Sequence, residues 1–225
     1  MLNYEVSPAL LDSLVPAGVE IDRWRGQLYV SVVGFLFHDT RVFGLWIPGH
    51  RTFEEVNLRF YVRRHVGDEM RRGVVFVREL VPRRAIATVA RLMYNEPYRA
   101  VLMCHRFDLS RDGATSREFA WRAGDEWTRL AAQTVGSPRP LEPGSEAEFI
   151  TEHYWGYTRQ RDGSTIEYRV DHPRWNVWNA DDARLEGDVS AVYGDAFARA
   201  LEGPPRSAFV ADGSPVTVFA PTRIR

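Results

Sequence analysis

The amino-acid sequence predicts an α+β, strand-dominated fold: a strongly curved antiparallel sheet or barrel with a few peripheral helices. Three observations lead there. Between Glu55 and Arg64, Val56, Leu58, Phe60 and Val62 alternate strictly with Glu55, Asn57, Arg59, Tyr61 and Arg63, the period of a strand with one buried face. Two Asp-Gly pairs, Asp112-Gly113 and Asp162-Gly163, each separate runs rich in aromatic and β-branched residues, as hairpins do. Helical spacing, by contrast, occurs only in short stretches far apart in the chain.

Ser7-Pro8 supplies a cap and a first-turn proline for a short helix whose apolar face is Ala9, Leu10, Leu11, Leu14 and Val15, stopped by Pro16 and Gly18. Val19 to Asp22 and Leu28 to His38 read as strands around Gly26, the second nearly all apolar and so covered on both faces. After the alternating strand, Gly73 to Val81 reads as a buried strand. Beyond Pro82, Ile86, Val89, Ala90 and Met93 lie at helical spacing until Asn95 and Pro97 stop the helix. The two Asp-Gly hairpins follow, with a third candidate turn at Asp212-Gly213. Ser145 with Glu148 matches a capping box, and Val189, Val192, Ala196, Phe197 and Ala200 predict a last amphipathic helix closed by Gly203-Pro204-Pro205. No repeat or linker interrupts the 225 residues, so one domain spanning 1–225 is expected.

Composition excludes several kinds of chemistry. All 29 residues in the combined Lys and Arg total are arginine. Lysine Schiff bases, lysine-linked pyridoxal phosphate, the P-loop lysine and Ser-Lys dyads are therefore impossible. A net charge of −1 leaves no basic field for a nucleic-acid backbone. The single cysteine, Cys104, cannot form an intramolecular disulfide and is expected to be a small buried residue. The six histidines show no metal-binding spacing, and neither a nucleophile elbow nor a Gly-rich nucleotide fingerprint is present. No cofactor, metal, nucleic acid or membrane is expected, and the N-terminal stretch lacks the basic and apolar regions of a signal peptide, which makes the cytoplasm the expected location.

Period-two spacing places Glu55, Arg59 and Tyr61 on one strand face; if that face lines a cavity, Arg59 suits a carboxylate and Glu55 a base. The same residues equally suit a solvated strand face. His105 lies on a predicted strand and is the histidine best placed to join such a site.

The segments YEVSPALLDSLVPAGVEID, YVSVVGF, FEEVNLRFYV, NEPYRA, EFITEHYWGYT and DHPRW, in this order, resemble the YqjF-like family of uncharacterised proteins (domain of unknown function 2071). That family is regarded as related to acetoacetate decarboxylase, and the resemblance implies an antiparallel sheet closed into a cone. On this match Phe53-Glu54-Glu55 is similar to the decarboxylase Tyr-x-Glu, placing Glu55 at an active-site glutamate. Arg91 corresponds to the arginine of its Gly-Arg-Glu stretch. Tyr98 stands where the Schiff-base lysine would be, and Arg99 where the lysine that lowers its pKa would be.

Tyrosine cannot form an imine, although a phenol can donate to a carbonyl or exchange a proton. The resemblance therefore implies a protein that binds a small apolar or carbonyl-containing molecule in the cone, through Glu55 and Tyr98 with Arg59, Tyr61, Arg91, Arg99 and His105 around it. The alternative is a non-covalent acid–base lyase, isomerase or hydratase acting on a keto acid or related carbonyl compound. Self-association is left open.

Overall fold

The computed structural model describes residues 1–38, 41–42, 45–46, 52–109 and 115–224. In chain order it comprises β1 (Leu2–Glu5), α1 (Pro8–Leu11), β2 (Glu20–Ile21), β3 (Tyr29–Phe37), β4 (Arg41–Val42), β5 (Leu45–Trp46), β6 (Phe53–Val66) and β7 (Glu69–Val81). These are followed by α2 (Arg84–Tyr94), β8 (Tyr98–Ala100), β9 (Leu102–Leu109), β10 (Thr115–Arg122), β11 (Trp127–Pro140), α3 (Glu146–Thr151), β12 (Trp155–Arg159) and β13 (Thr165–Asp171). The chain ends with β14 (Asn176–Glu186), α4 (Ser190–Tyr193), α5 (Asp195–Ala200), β15 (Ser207–Ala211), β16 (Thr217–Val218) and β17 (Thr222–Ile224).

One sheet takes in every strand but β4 and β5, which pair only with each other. Its hydrogen-bonded path runs β16-β13-β12-β7-β6-β3-β1-β15-β14-β11-β10-β9 and, among the described residues, does not close into a ring. The sheet curls instead. Val56, Leu58, Phe60 and Val62 point from β6 into the main apolar core, which they share with Phe119 and Trp121 of β10 and Leu130 of β11. Gly34 of β3 shows how close the two layers come, because a Cβ there would lie 2.6 Å from the Phe119 ring.

The alternating stretch is the centre of the fold. It forms β6, longer than predicted, and turns into β7 through Gly67-Asp68, with Gly67 at φ 59 in the first central position, where a type II′ hairpin turn requires a positive φ. Pairing of β7 with β6 is regular until Val75 and Phe76, opposite Phe60 and Arg59. A register shift follows, with Leu58 opposite Arg78 and Val77 left over as a bulge. Because side chains alternate with period two, one extra residue exchanges the faces beyond it. Continued alternation from Val75 would send Glu79 into the apolar core. With the bulge, Glu79 lies opposite Asn57 on the other face, and Arg78 takes the core side with Leu80.

Several expectations are met and others corrected. Both predicted hairpins form, β9 with β10 and β12 with β13. Gly163 adopts φ 83 at the second turn, while Asp112-Gly113 lies outside the described residues. Asp212-Gly213 does not make a hairpin: β15 pairs with β1 and β14, and β16 with β13. The sheet is not wholly antiparallel, since β8 and β12 both run parallel to β7. The chain reaches β8 through α2, a crossover of the kind parallel neighbours need.

Helix α2 ends on Asn95, whose left-handed φ of 57 closes it; the side chains of Val89, Ala90 and Met93 lie outside the described residues. The last predicted helix is two short ones, α4 and α5, because Gly194 leaves the helical region with φ 80 between them. The Ser145 hydroxyl accepts from Glu148 N (3.1 Å) at the start of α3, one half of the predicted capping box, while Glu148 Oε2 accepts from Gly144 N (2.6 Å) rather than from Ser145 N. Cys104 is exposed rather than buried: on β9, at one end of the sheet path, it alternates with the buried Met103. Among the described residues no helix is long and apolar enough to cross a membrane.

Candidate functional site

On the β6 face that points away from the main core, Glu55, Asn57, Arg59 and Tyr61 follow one another at every second residue. The ends of this row are covered with apolar side chains. Phe53 packs with Val81, Ala87 and Tyr98 at one end, and Tyr61 with Phe149 and Ile150 of α3 at the other. Between them is a buried polar cluster.

The β7 bulge brings Glu79 opposite Asn57, and the parallel register of β8 sets Tyr98 opposite Glu79. Tyr98 donates its hydroxyl to Glu55 Oε2 (3.0 Å), and Asn57 Nδ2 donates to Glu55 Oε1 (3.1 Å). Glu96, in the bend after α2, accepts the Tyr168 hydroxyl from β13 (2.8 Å) and that of Thr158 from β12 on the same oxygen, Oε1. Gly156 makes this reach possible, because a Cβ there would lie 2.1 Å from Tyr168 Cζ. Glu55, Asn57, Glu79 and Glu96 are each at most 4% exposed.

Three carboxyl groups so placed cannot all be ionised near neutral pH. Burial pushes Glu55 up to about 7, against hydrogen bonds from Asn57 and Tyr98 and the charge of Arg59, which pull it down. Glu96 is likewise pushed up to about 7 by burial, against the hydroxyls of Thr158 and Tyr168. Glu79 rises well above the carboxyl range through burial and then through Glu96 and Glu55. Tyr98 is raised well above its usual value by burial and by Glu55 and Glu79, so its phenol remains a proton donor. Asn57 Oδ1, Glu79 Oε2 and Glu96 Oε2 have no hydrogen-bond partner among the described residues. An unpaired buried polar atom costs about 1–3 kcal/mol, so these three oxygens are open acceptor positions, or donor positions where the carboxyl is protonated.

The residues singled out in the sequence are thereby divided. Glu55 and Tyr98 meet. Arg59 lies on the same face, donates to the Ile150 carbonyl (3.1 Å) and stacks over Tyr61. Tyr61 is buried and shares a 2.6 Å hydrogen bond with Ser31, which donates to Asn3. Arg91, exposed on α2, donates Nε to the Tyr98 carbonyl (2.6 Å), touching the site through backbone only. Arg99 points to the opposite face, where it donates to Ala191 O (2.7 Å) and Ala123 O (3.3 Å). His105 also lies on that other side, hydrogen-bonded to Glu54 Oε1 (2.7 Å).

Sequence reasoning did not single out Asn57, Glu79, Glu96, Thr158 or Tyr168. The one local signal was Glu79 itself, a carboxylate within the apolar run Gly73 to Val81. Near α3 there is a second buried polar group, where Asp22 accepts from Arg72 Nε (2.7 Å) and lies 3.3 Å from His153 Nε2. Burial pushes His153 down to about 4, so this imidazole is neutral. Among the described residues no group of three or more His, Cys, Asp or Glu is arranged to hold a metal ion.

Comparisons with known proteins agree with this architecture. The chain is 28% identical over 195 residues to the uncharacterized protein YqjF of Bacillus subtilis (strain 168), covering 85% of this chain and 77% of that protein. The enduracididine biosynthesis enzyme MppR complexed with pyruvate superposes with a TM-score of 0.60 at 12% identity, over 99% of this chain and 83% of that one. Acetoacetate decarboxylase from Legionella pneumophila superposes with a TM-score of 0.57 at 14% identity, over 99% and 79%. At such identities the likeness is one of fold, and the fold is acetoacetate decarboxylase-like. The sequence pattern of DUF2071, a family of uncharacterized conserved proteins, matches residues 1–221, and the chain belongs to that family.

Proposed function

We propose that the protein binds a small carbonyl-containing molecule at the Glu55–Tyr98 cluster, without covalent attachment. The observation that carries this reading is the pair of unpartnered carboxyl oxygens on Glu79 and Glu96, in the buried cluster that also holds Glu55 and the Tyr98 hydroxyl. A protonated carboxyl or phenol donates to a carbonyl oxygen, and in a site of low polarity such a bond is stronger than in water. The fold neighbour complexed with pyruvate supports this ligand class. Attachment through a lysine imine is impossible in a chain without lysine.

Native mass spectrometry of the purified protein tests the reading. A retained small molecule, or added pyruvate, is expected to bind the wild type and to be lost from Glu55→Gln and Tyr98→Phe. Wild type that retains nothing and fails to bind pyruvate at millimolar concentration would sink it.

A second reading, acid–base catalysis, is favoured by one observation: Glu55 is pushed up to about 7, where both protonation states are populated at neutral pH. Glu55 as carboxylate would take a proton from the carbon beside the carbonyl, while Tyr98 hydrogen-bonds the enolate oxygen. Exchange of α-protons for deuterium in a keto acid, followed by NMR, separates catalysis from binding alone. It should be absent in Glu55→Gln.

A further inference from the structure

We infer that Arg78, Arg99 and Tyr193 form a binding site for a small oxyanion, on the core side of β7 and β8 and behind the carboxyl cluster. The register carries the argument. The bulge at Val77 that turns Glu79 away from the core turns Arg78 towards it, opposite Leu58. The parallel pairing of Leu80 with Arg99 sets Arg99 on the same face, next to Arg78. Helix α4 packs on β7 and brings Tyr193 into the same core.

These groups lack the partners their chemistry calls for. Arg78 makes no hydrogen bond or ion pair with any described residue, and its Nε is buried and unpartnered. The Tyr193 hydroxyl is also buried and unpartnered, on a side chain only 7% exposed. Arg99 is anchored by the carbonyls of Ala191 and Ala123, neither of which offsets its charge. Since Ala191 lies in α4 with Tyr193, the anchor also fixes the helix beside Arg78. No carboxylate lies within ion-pair distance of Arg78, Arg91 or Arg99 among the described residues. Burial, then the neighbouring charges of Arg99 and Arg91, hold Arg78 below the usual arginine range.

A carboxylate or phosphate group would satisfy these needs together. It would accept from Arg78 Nε and the Tyr193 hydroxyl and would neutralise two guanidinium groups that otherwise repel each other. The surrounding walls are apolar, from Leu58, Leu80 and Val192, which limits the ligand's polar part to one compact anionic group. The site is separate from the carboxyl cluster because successive β7 residues, Arg78 and Glu79, point to opposite sides of the sheet.

The test is calorimetric titration of the intact protein at low ionic strength with sodium phosphate and, separately, sodium acetate. One of the two should bind saturably at one site per chain, and which one does so identifies the anion as phosphate or carboxylate. Arg78→Gln should weaken binding about tenfold or more, as expected for losing a hydrogen bond from a charged group, and Tyr193→Phe several-fold. Arg84→Gln, which removes an exposed charge on α2, should change nothing. Should Arg78→Gln fail to fold, Tyr193→Phe alone decides, since it removes one oxygen and keeps the ring. Absence of saturable binding by either anion, or wild-type affinity in the folded variants, overturns the inference.

Discussion

Tyr98 donates its hydroxyl to Glu55 across 3.0 Å, although the two residues lie on strands that are not neighbours: β7 runs between β6 and β8, and Glu79 lies between the pair. Three carboxyl groups, counting Glu96, therefore share one dry patch and a limited supply of protons.

Stability should reflect that crowding. Glu55 has a folded-state pKa raised from an ordinary 4.5 to about 7, so the folded form holds a proton that the unfolded chain releases between those values. Its contribution is present below pH 4.5 and is lost as pH rises to 7, at up to about 1.4 kcal/mol per unit. Glu55→Gln should therefore gain stability relative to wild type between pH 4.5 and 7 and hold that gain above 7. Urea unfolding at pH 4.5 and 8 checks this, and a pH-independent difference would refute the raised value.

His153 acts with the opposite sign. Its folded-state pKa is lowered from 6.5 to about 4, so its contribution is present above 6.5 and lost as pH falls towards 4. Nitrogen-15 NMR at pH 5.5 should show a neutral ring, and the pH profile of His153→Gln should lack this acid-side loss.

Removing the Tyr98 hydroxyl leaves Glu55 Oε2 without its donor. Tyr98→Phe should cost about 1–2 kcal/mol and raise the Glu55 pKa further. The carboxyl C=O stretch in infrared difference spectra, recorded against pH and compared with Glu55→Gln, would reveal the shift.

Gly156→Ala places a methyl group directly against the buried Tyr168 ring and its hydroxyl. A loss of about 1–3 kcal/mol is expected, as for other overpacked sites, together with a lost hydrogen bond to Glu96. Thermal melts, with the near-ultraviolet tyrosine signal as a second probe, measure both.

Cys104 is exposed on β9, so an aromatic disulfide reagent should titrate one thiol per native chain without denaturant. A thiol that reacts only after unfolding would contradict its placement.

Much of the sheet could be read from local pattern. Alternation located β6 and its two faces, the Asp-Gly pair at 162–163 located a hairpin turn, and Ser145 with Glu148 marked the start of α3. The long strands β11 and β14 carry no such local mark, because their mixed polar sequences have weak periodicity, and the partners of β14, unlike the adjacent β10 that pairs with β11, are distant in the chain. Resemblance to a family was needed to single out Tyr98, and nothing local linked it to Glu55.

The sequence by itself determined that no lysine imine can form, that β6 has one apolar and one polar face, and that Glu55, Arg59 and Tyr61 share the polar one. Only the tertiary structure decided what meets Glu55. Strand faces alternate with period two, so the single bulge at Val77 determines that Glu79 joins the carboxyl cluster and Arg78 turns to the core side. Whether a bulge forms depends on how β7 fits β6, β8 and β12 together, a balance of packing and hydrogen bonding that no one of these segments encodes alone.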